Sequence, residues 1–192
     1  ETARFRSPAD AVDPRWGLGL VPEDRKTEGL FLDLDGRENT VLPSLARFTR
    51  GGLVDAGSEH AAVSAALGAV QVAERALWTP VRQFSGGNQQ KIVLAKWLLA
   101  GGPVLLLFDP TRGVDVGTKA EIYHLMRDYA DRGGAILFHS TDIAELVNLS
   151  DRVMVLYRGR PAAMLGGADI TDTGIMRAAV GQAGEGGAHV GH

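Results

Sequence analysis

Hydrophobic positions fall into two regimes along this chain. In the second half, short unbroken apolar runs alternate with stretches of helical period. Val104 to Phe108, Ala135 to Phe138 and Val153 to Tyr157 are each continuous apolar runs bounded by polar or Gly-rich turns, the pattern of buried strands. Between the first two, Thr118 to Ala130 carries Ile122, Leu125, Met126 and Tyr129 on one helical face, with Thr118 and Glu121 spaced as a capping box. Asp142 with Glu145 predicts a capped short helix through Leu149. Such βαβαβ alternation implies a parallel sheet with helices on its faces.

The first half is less regular. A strand is predicted at Gly17 to Val21, stopped by Pro22 and followed by the charged turn Glu23-Asp24-Arg25-Lys26. Gly51-Gly52 breaks the Ala-, Leu- and Val-rich stretch from about Asn39 to Val81. Within it, Ala61 to Leu77 reads as an amphipathic helix using Val63, Ala66, Val70 and Val72, ended by Thr79-Pro80. A Ser-Gly-Gly turn, Ser85 to Gly87, opens a strong helical pattern through Ala100, closed by Gly101-Gly102-Pro103. Residues 1–15 are polar and punctuated by Pro8 and Pro14, and the Gly-rich tail from Gly181 is expected to be disordered.

Composition narrows the function. Apolar residues make up 45% of the 192, enough for a core, and 20 basic residues face 23 acidic ones for a net charge of −3. That mild balance argues against a nucleic-acid clamp built on bulk charge. No apolar run approaches the roughly 20 residues that span a bilayer. With no Cys, disulfides, thiolate zinc sites and Cys nucleophiles are excluded, which fits the cytosol. The chain starts at Glu1 rather than Met and is expected to begin inside a larger gene product.

Four segments carry candidate chemistry. Phe84-Ser85-Gly86-Gly87-Asn88-Gln89-Gln90-Lys91 places a hydroxyl and free backbone N–H groups at the positive end of a helix, an anion site that glycine lets a phosphate approach closely. Leu105 to Asp115 is an apolar strand ending in Asp109, then a turn with a second acid, Asp115. The carboxyl end of a central strand is where α/β folds place catalytic groups. Phe138-His139-Ser140-Thr141-Asp142 ends the next strand, and Gly19 to Lys26 forms a strand and charged turn.

Together these segments resemble the ABC-type ATPases, the sugar-import branch in particular. Ser85 to Lys91 resembles the signature motif, with Gln89 and Gln90 after the glycines. Leu105 to Asp115 looks like the Walker B strand and D-loop, and Gly19 to Lys26 like the Q-loop region, with Glu23 in the usual Gln place. Leu149 to Leu156 resembles the strand after the family's switch histidine. The resemblance covers about Arg6 to Gly181 and is to the C-terminal part of the second nucleotide-binding domain of a fused sugar-import ATPase. It implies an α/β fold: a P-loop-NTPase-like parallel sheet lacking its P-loop strand, with an inserted helical signature subdomain. The implied division is a Q-loop region over 1–38, the helical subdomain over 39–100, and the Walker B-like, D-loop and switch core over 101–180.

Two departures weaken one half-site. Counted without gaps, Asp109 falls where the family has its catalytic Glu and Phe108 where it has the Mg²⁺-associated Asp; a one-residue shift returns Asp109 to the metal role and leaves the general base missing, so one carboxylate is lost either way. Thr141 stands at the switch position, while His139 lies two residues earlier. Asp109, His139 and Thr141 are therefore the candidate catalytic residues. Ser85, Gly86, Gly87, Gln89, Asp115 and Glu23 are the candidate nucleotide-facing ones, and no metal ligand is assigned. The pattern G-x-x-x-x-G-K-[ST] is absent, since none of the four lysines, Lys26, Lys91, Lys96 and Lys119, follows a Gly. The expected activity is ATP hydrolysis coupled to uptake of a sugar, with the signature and D-loop donated to an ATP on a partner's P-loop. The alternative is a degenerate dimerisation domain without turnover. ATP and Mg²⁺ are expected in the complete transporter and neither on the isolated chain. The implied partners are another nucleotide-binding domain and permease subunits at the cytoplasmic face of the membrane, with no nucleic acid. An SMC-type reading lacks coiled-coil heptads, and a serine hydrolase fails because Gln83 replaces the first Gly of G-x-S-x-G.

Overall fold

A computed structural model describes residues 4–13 and 15–182. The chain forms two compact units, Glu1–His139 and Ser140–His192. The first begins with helix α1 (Pro8–Val12), capped by Ser7, and strand β1 (Leu18–Val21). A five-residue π-type turn over Arg25–Gly29 follows, capped by Asp24, and then α2 (Gly36–Val41), with an Asp35–Glu38 capping box. Asn39 is fully buried and organises the approach to α2. Its amide oxygen accepts from Phe31 N–H (2.8 Å), and its amide nitrogen donates to the Phe31, Leu34 and Asp35 carbonyls.

After the two-residue strands β2 (Thr49–Arg50) and β3 (Leu53–Val54) comes α3 (Ala56–Ala69). This helix starts five residues earlier than the hydrophobic period suggested and ends eight residues before Leu77. Its end is a chemical stop. Gln71 adopts φ 55°, Gln71 N–H donates to Gly68 O (2.9 Å) and Val72 N–H to Leu67 O (3.0 Å). This is a Schellman closure with Gln where Gly is usual. Leu77 belongs instead to a separate 3₁₀ turn, Glu74–Leu77.

Helix α4 (Gly86–Ala100) runs as expected, from the Ser85 cap to a left-handed Gly101. It packs against α2, α3 and β1, so most of its circumference is buried, including Gln89, Gln90, Lys91 and Lys96. The buried cations have partners. Lys91 Nζ donates to Glu121 Oε2 (2.8 Å) and to the Gln71 carbonyl (3.2 Å), and Lys96 Nζ donates to the Gly29 carbonyl.

Strand β4 (Val104–Phe108), helix α5 (Val116–Asp131) and strand β5 (Ala135–His139) complete the first unit. The parallel sheet has the order β1-β4-β5, with Leu20 opposite Leu106 and Leu106 opposite Leu137. One face is buried: Val21, Leu105 and Leu107 are at most 3% exposed. On the other face Leu20, Phe108 and Leu137 are 45%, 47% and 68% exposed. The apolar runs therefore mark strands correctly but not strands buried on both faces. Helix α5 also starts two residues before Thr118. Asp115, rather than Thr118, is its cap and accepts from Thr118 N–H at 2.9 Å.

The second unit contains α6 (Ile143–Leu149), capped by Asp142, then strands β6 (Arg152–Tyr157) and β7 (Arg160–Gly166) and helix α7 (Asp172–Ala179). The run at Val153 to Tyr157 is thus an antiparallel hairpin strand and not a member of the parallel sheet. Arg158 and Gly159, with φ of 49° and 75°, make the two-residue turn that matches strand twist. Val153, Val155, Ile170, Ile175 and Ala178 form this unit's core. Among the described residues no helix is long and apolar enough to cross a membrane. The expected disordered tail lies, from residue 183 on, outside the described residues.

Candidate functional site

Two helix starts converge in the first unit. Ser85 caps α4 and is exposed. Its Oγ accepts from the Asn88 side-chain amide (3.2 Å) and, at 3.4 Å, from Asn88 N–H, which leaves the hydroxyl proton to donate elsewhere. Asp115 caps α5, accepting from the Thr118 N–H (2.9 Å) and hydroxyl (2.8 Å). Those bonds, the backbone one first, hold the Asp115 carboxyl below its ordinary pKa. The helices touch at their first turns. A Cβ on Gly87 would lie 2.6 Å from Thr118 Oγ1, and one on Gly86 3.1 Å from the Gly113 carbonyl. Ser85, Gly86 and Asp115 thus lie together beside the positive ends of two helices, with Gly87 buried between them against Thr118. Gln89 is not among them. Its side chain is buried, donating to the Val81 carbonyl (3.2 Å) beneath the turn.

Asp109 and His139 meet at the carboxyl ends of β4 and β5. Asp109 N–H donates to the His139 carbonyl (2.9 Å), and its Oδ2 lies 3.4 Å from His139 Nδ1. The carboxylate is buried while the imidazole is largely exposed. Asp109 has φ 43°, a left-handed conformation that Asp tolerates better than most residues. The Phe108 ring stacks on the His139 ring at 6.2 Å between centroids.

Next to this pair, an open cleft of about 750 Å³ lies beyond the ends of β1 and β4, lined by Glu23, Arg25, Lys26, Phe108, Arg112 and Gly113 among others. Glu23 is ion-paired with Arg112 at the surface. Arg25 donates from Nη1 to the Arg112 carbonyl (2.9 Å), and burial pushes its guanidinium below its ordinary pKa despite the opposing Asp24 charge.

Thr141 belongs to the second unit, where it is exposed. Beside it Ser140 Oγ donates to the buried Glu145 Oε2 (2.6 Å) and accepts from Asp142 N–H (3.0 Å). Glu145 therefore ties the residue before Thr141 to α6.

The chain is 47% identical to "Ribose import ATP-binding protein RbsA 1" of Mesorhizobium japonicum, over 93% of its own length and 35% of the relative's. It is 47% identical to the protein of that name in Streptomyces avermitilis, over 85% of this chain and 31% of that one. For the Bacillus licheniformis "Ribose import ATP-binding protein RbsA" the figures are 44%, 93% and 36%. The chain thus spans about a third of the length of the curated relatives it matches. No family model matches the sequence. In shape it resembles a dimeric post-hydrolysis state of the ATP-binding cassette MJ0796 bound to ADP and Pi. The TM-score is 0.70 at 22% identity, over 84% of this chain and 68% of that one. A nucleotide-free cassette from an ABC transporter gives 0.73 at 13% identity, over 89% and 68%. The fold is that of an ATP-binding cassette. By sequence the chain is homologous to ribose import ATP-binding proteins.

Within this cassette fold, the sequence pointed to the Ser85 helix start and to the Asp109 strand end, and it singled out Asp115 as a turn acid while placing the cap of α5 at Thr118. It did not point to Arg25, Arg112 or Glu145. Arg25 lay within the Q-loop-like segment and Arg112 within the D-loop-like one without a role of its own, and Glu145 read as a cap. Phe108 supplies no ligand for a magnesium ion beside Asp109, and Glu23 is paired with Arg112.

Proposed function

We propose that this chain is part of a nucleotide-binding domain of an ABC importer, coupling ATP binding and hydrolysis to uptake of a sugar such as ribose. The supporting observation is the convergence of the α4 and α5 starts, which bring Ser85–Gly87 and Gly113–Asp115 into one contiguous, donor-rich surface. In this reading the surface is donated to an ATP held by the P-loop of a partner domain. Ser85 offers its hydroxyl proton, and the first N–H groups of α4 offer dipoles to the phosphates. Asp115 fixes the D-loop turn. The ATP and its Mg²⁺ are then held by the partner. Permease subunits, engaged through the charged loop and the helical region 39–81, keep the assembly at the cytoplasmic face of the membrane.

Asp109 carries the other half-site. Its carboxylate, held beside His139, is the group that would polarise a water, with His139 as the candidate switch group. Phe108 against His139, supplying no carboxylate, favours a weakened or silent site there, so the degenerate reading is retained for that half.

The test is a titration of Mg-ATP against this chain, alone and mixed with a P-loop-bearing nucleotide-binding domain. Alone, no micromolar binding is expected. In the mixture, turnover is expected and Ser85→Arg abolishes it. Micromolar binding by the chain alone, or turnover indifferent to Ser85→Arg, refutes the reading.

A further inference from the structure

Arg25 stands where the two donated turns meet. Its guanidinium leaves the charged loop after β1 and donates from Nη1 to the Arg112 carbonyl at 2.9 Å. Its Nη2 occupies the space that a side chain at position 86 would need: a Cβ on Gly86 would fall 2.5 Å from it. A Cβ on Gly113 would fall 3.8 Å from the same nitrogen. One planar group therefore touches the turn that opens α4 and the turn that precedes α5. From the same loop, Glu23 reaches the Arg112 side chain, so Arg112 is held by both its main chain and its guanidinium.

The arrangement is poor as a pure stabilising contact. Arg25 Nε is enclosed without a hydrogen-bond partner, and burial works against the guanidinium's charge. An unmatched buried donor costs free energy that a smaller apolar side chain would not. Asp24, its sequence neighbour, is turned inward on its own loop, accepting from Lys26 N–H at 2.9 Å. What Arg25 provides is a fixed distance. A flat, rigid fork between two glycine turns sets their separation in a way that a flexible ammonium does not.

We propose that Arg25 is a positioning residue that holds the Ser85–Gly87 and Gly113–Asp115 turns at the separation one ATP requires, and so makes the charged loop the element that sets their register. This rests on the reading that both turns are donated to a partner's nucleotide. Displacing the loop moves both turns through Arg25 and moves Arg112 through Glu23.

Two experiments test it. The first needs no nucleotide and uses thermal melting of the 192-residue chain. Gly86→Ala is expected to lower the melting temperature, because the new methyl meets both the guanidinium and the Gly113 carbonyl, and Arg25→Ala is expected to recover the guanidinium's part of that loss in the double variant. The second uses the chain mixed with a P-loop-bearing partner domain. Arg25→Lys keeps the charge and is expected to melt as the parent does, yet to lower kcat about 10- to 100-fold with KM unchanged. Parental kcat in Arg25→Lys overturns the proposal, as does a Gly86→Ala penalty that ignores Arg25. If Ser85→Arg leaves turnover intact, the donated-turn reading fails and the positioning role is withdrawn with it. If Ser85→Arg abolishes turnover while Arg25→Lys does not change it, the positioning role alone fails.

Discussion

Lys96 shows how a single residue couples this fold to pH. Its residue is 8% exposed, its ammonium donates to the Gly29 carbonyl, and burial lowers its pKa from 10.5 to about 8. Below about pH 8 both folded and unfolded chains carry the proton, and the folded chain bears the whole cost of burying the charge. Between about 8 and 10.5 the unfolded chain binds more protons, so stability rises with pH. The gain is at most about 3 kcal/mol. Urea melts of the parent and Lys96→Met at pH 7.5 and 9.5 should show the parent gaining on the variant as pH rises; parallel responses would refute this. Sequence reading placed Lys96 on α4 but could not reveal its burial. A lysine on an amphipathic helix ordinarily projects into water, and α4 is covered around most of its circumference only because α2, α3 and β1 all pack on it. By contrast Ser85 acts locally, through the backbone N–H three residues on, and that cap was visible in the sequence; the Asp115 cap was hidden because Thr118 with Glu121 offered a capping box of the same spacing three residues later.

At the scale of elements, the parallel sheet has one dry and one open face. Leu107→Ala should cost about 2–5 kcal/mol, whereas Leu137→Ala, one strand over on the open face, should change stability by less than about 0.5 kcal/mol. Chemical denaturation of the two variants gives the comparison, and equal losses would contradict the facing described. The α3 terminus offers a gain. Gln71 at φ 55° occupies a conformation that glycine adopts without strain. Gln71→Gly should therefore raise stability by up to about 1 kcal/mol; an unchanged or lowered urea midpoint would refute it. The apolar runs made β4 and β5 legible as strands, but a run of five apolar residues does not state how many of its faces are covered. The helix end at Ala69 was obscured because Gln and Val are ordinary helix-interior residues by composition. Only the Leu67 and Gly68 carbonyls, accepting from Val72 and Gln71, disclose the stop. The hairpin strand β7 was missed for a related reason, since its turn is Arg-Gly rather than Asn-Gly.

At the scale of the whole molecule, the two candidate half-sites differ in kind. At the Ser85–Asp115 end, Ser85 and Asp115 are exposed at two adjoining helix starts, whereas Gly87 and Gln89 are buried and Glu23 is paired with Arg112 in the charged loop. The Asp109 end offers one buried carboxylate, one exposed imidazole and a phenyl ring. A head-to-tail pair built from this chain and a complete partner should therefore fire unequally. Rapid-quench measurement of ADP is expected to give a burst of one ADP per pair, because the pattern G-x-x-x-x-G-K-[ST] that would hold a second ATP at the Asp109 end is absent from this sequence; a burst of two would refute the asymmetry.

The left-handed turn at Asp109 has a consequence for how such a site could change over time. Side-chain length and backbone handedness are locked together at this position. Asp visits this left-handed region more readily than most residues, whereas a glutamate gains reach but bears about 1 kcal/mol or more of steric cost. Lengthening the acid here therefore trades stability for reach, a cost of the size that single substitutions ordinarily carry, and a backbone relaxed to ordinary handedness would remove it.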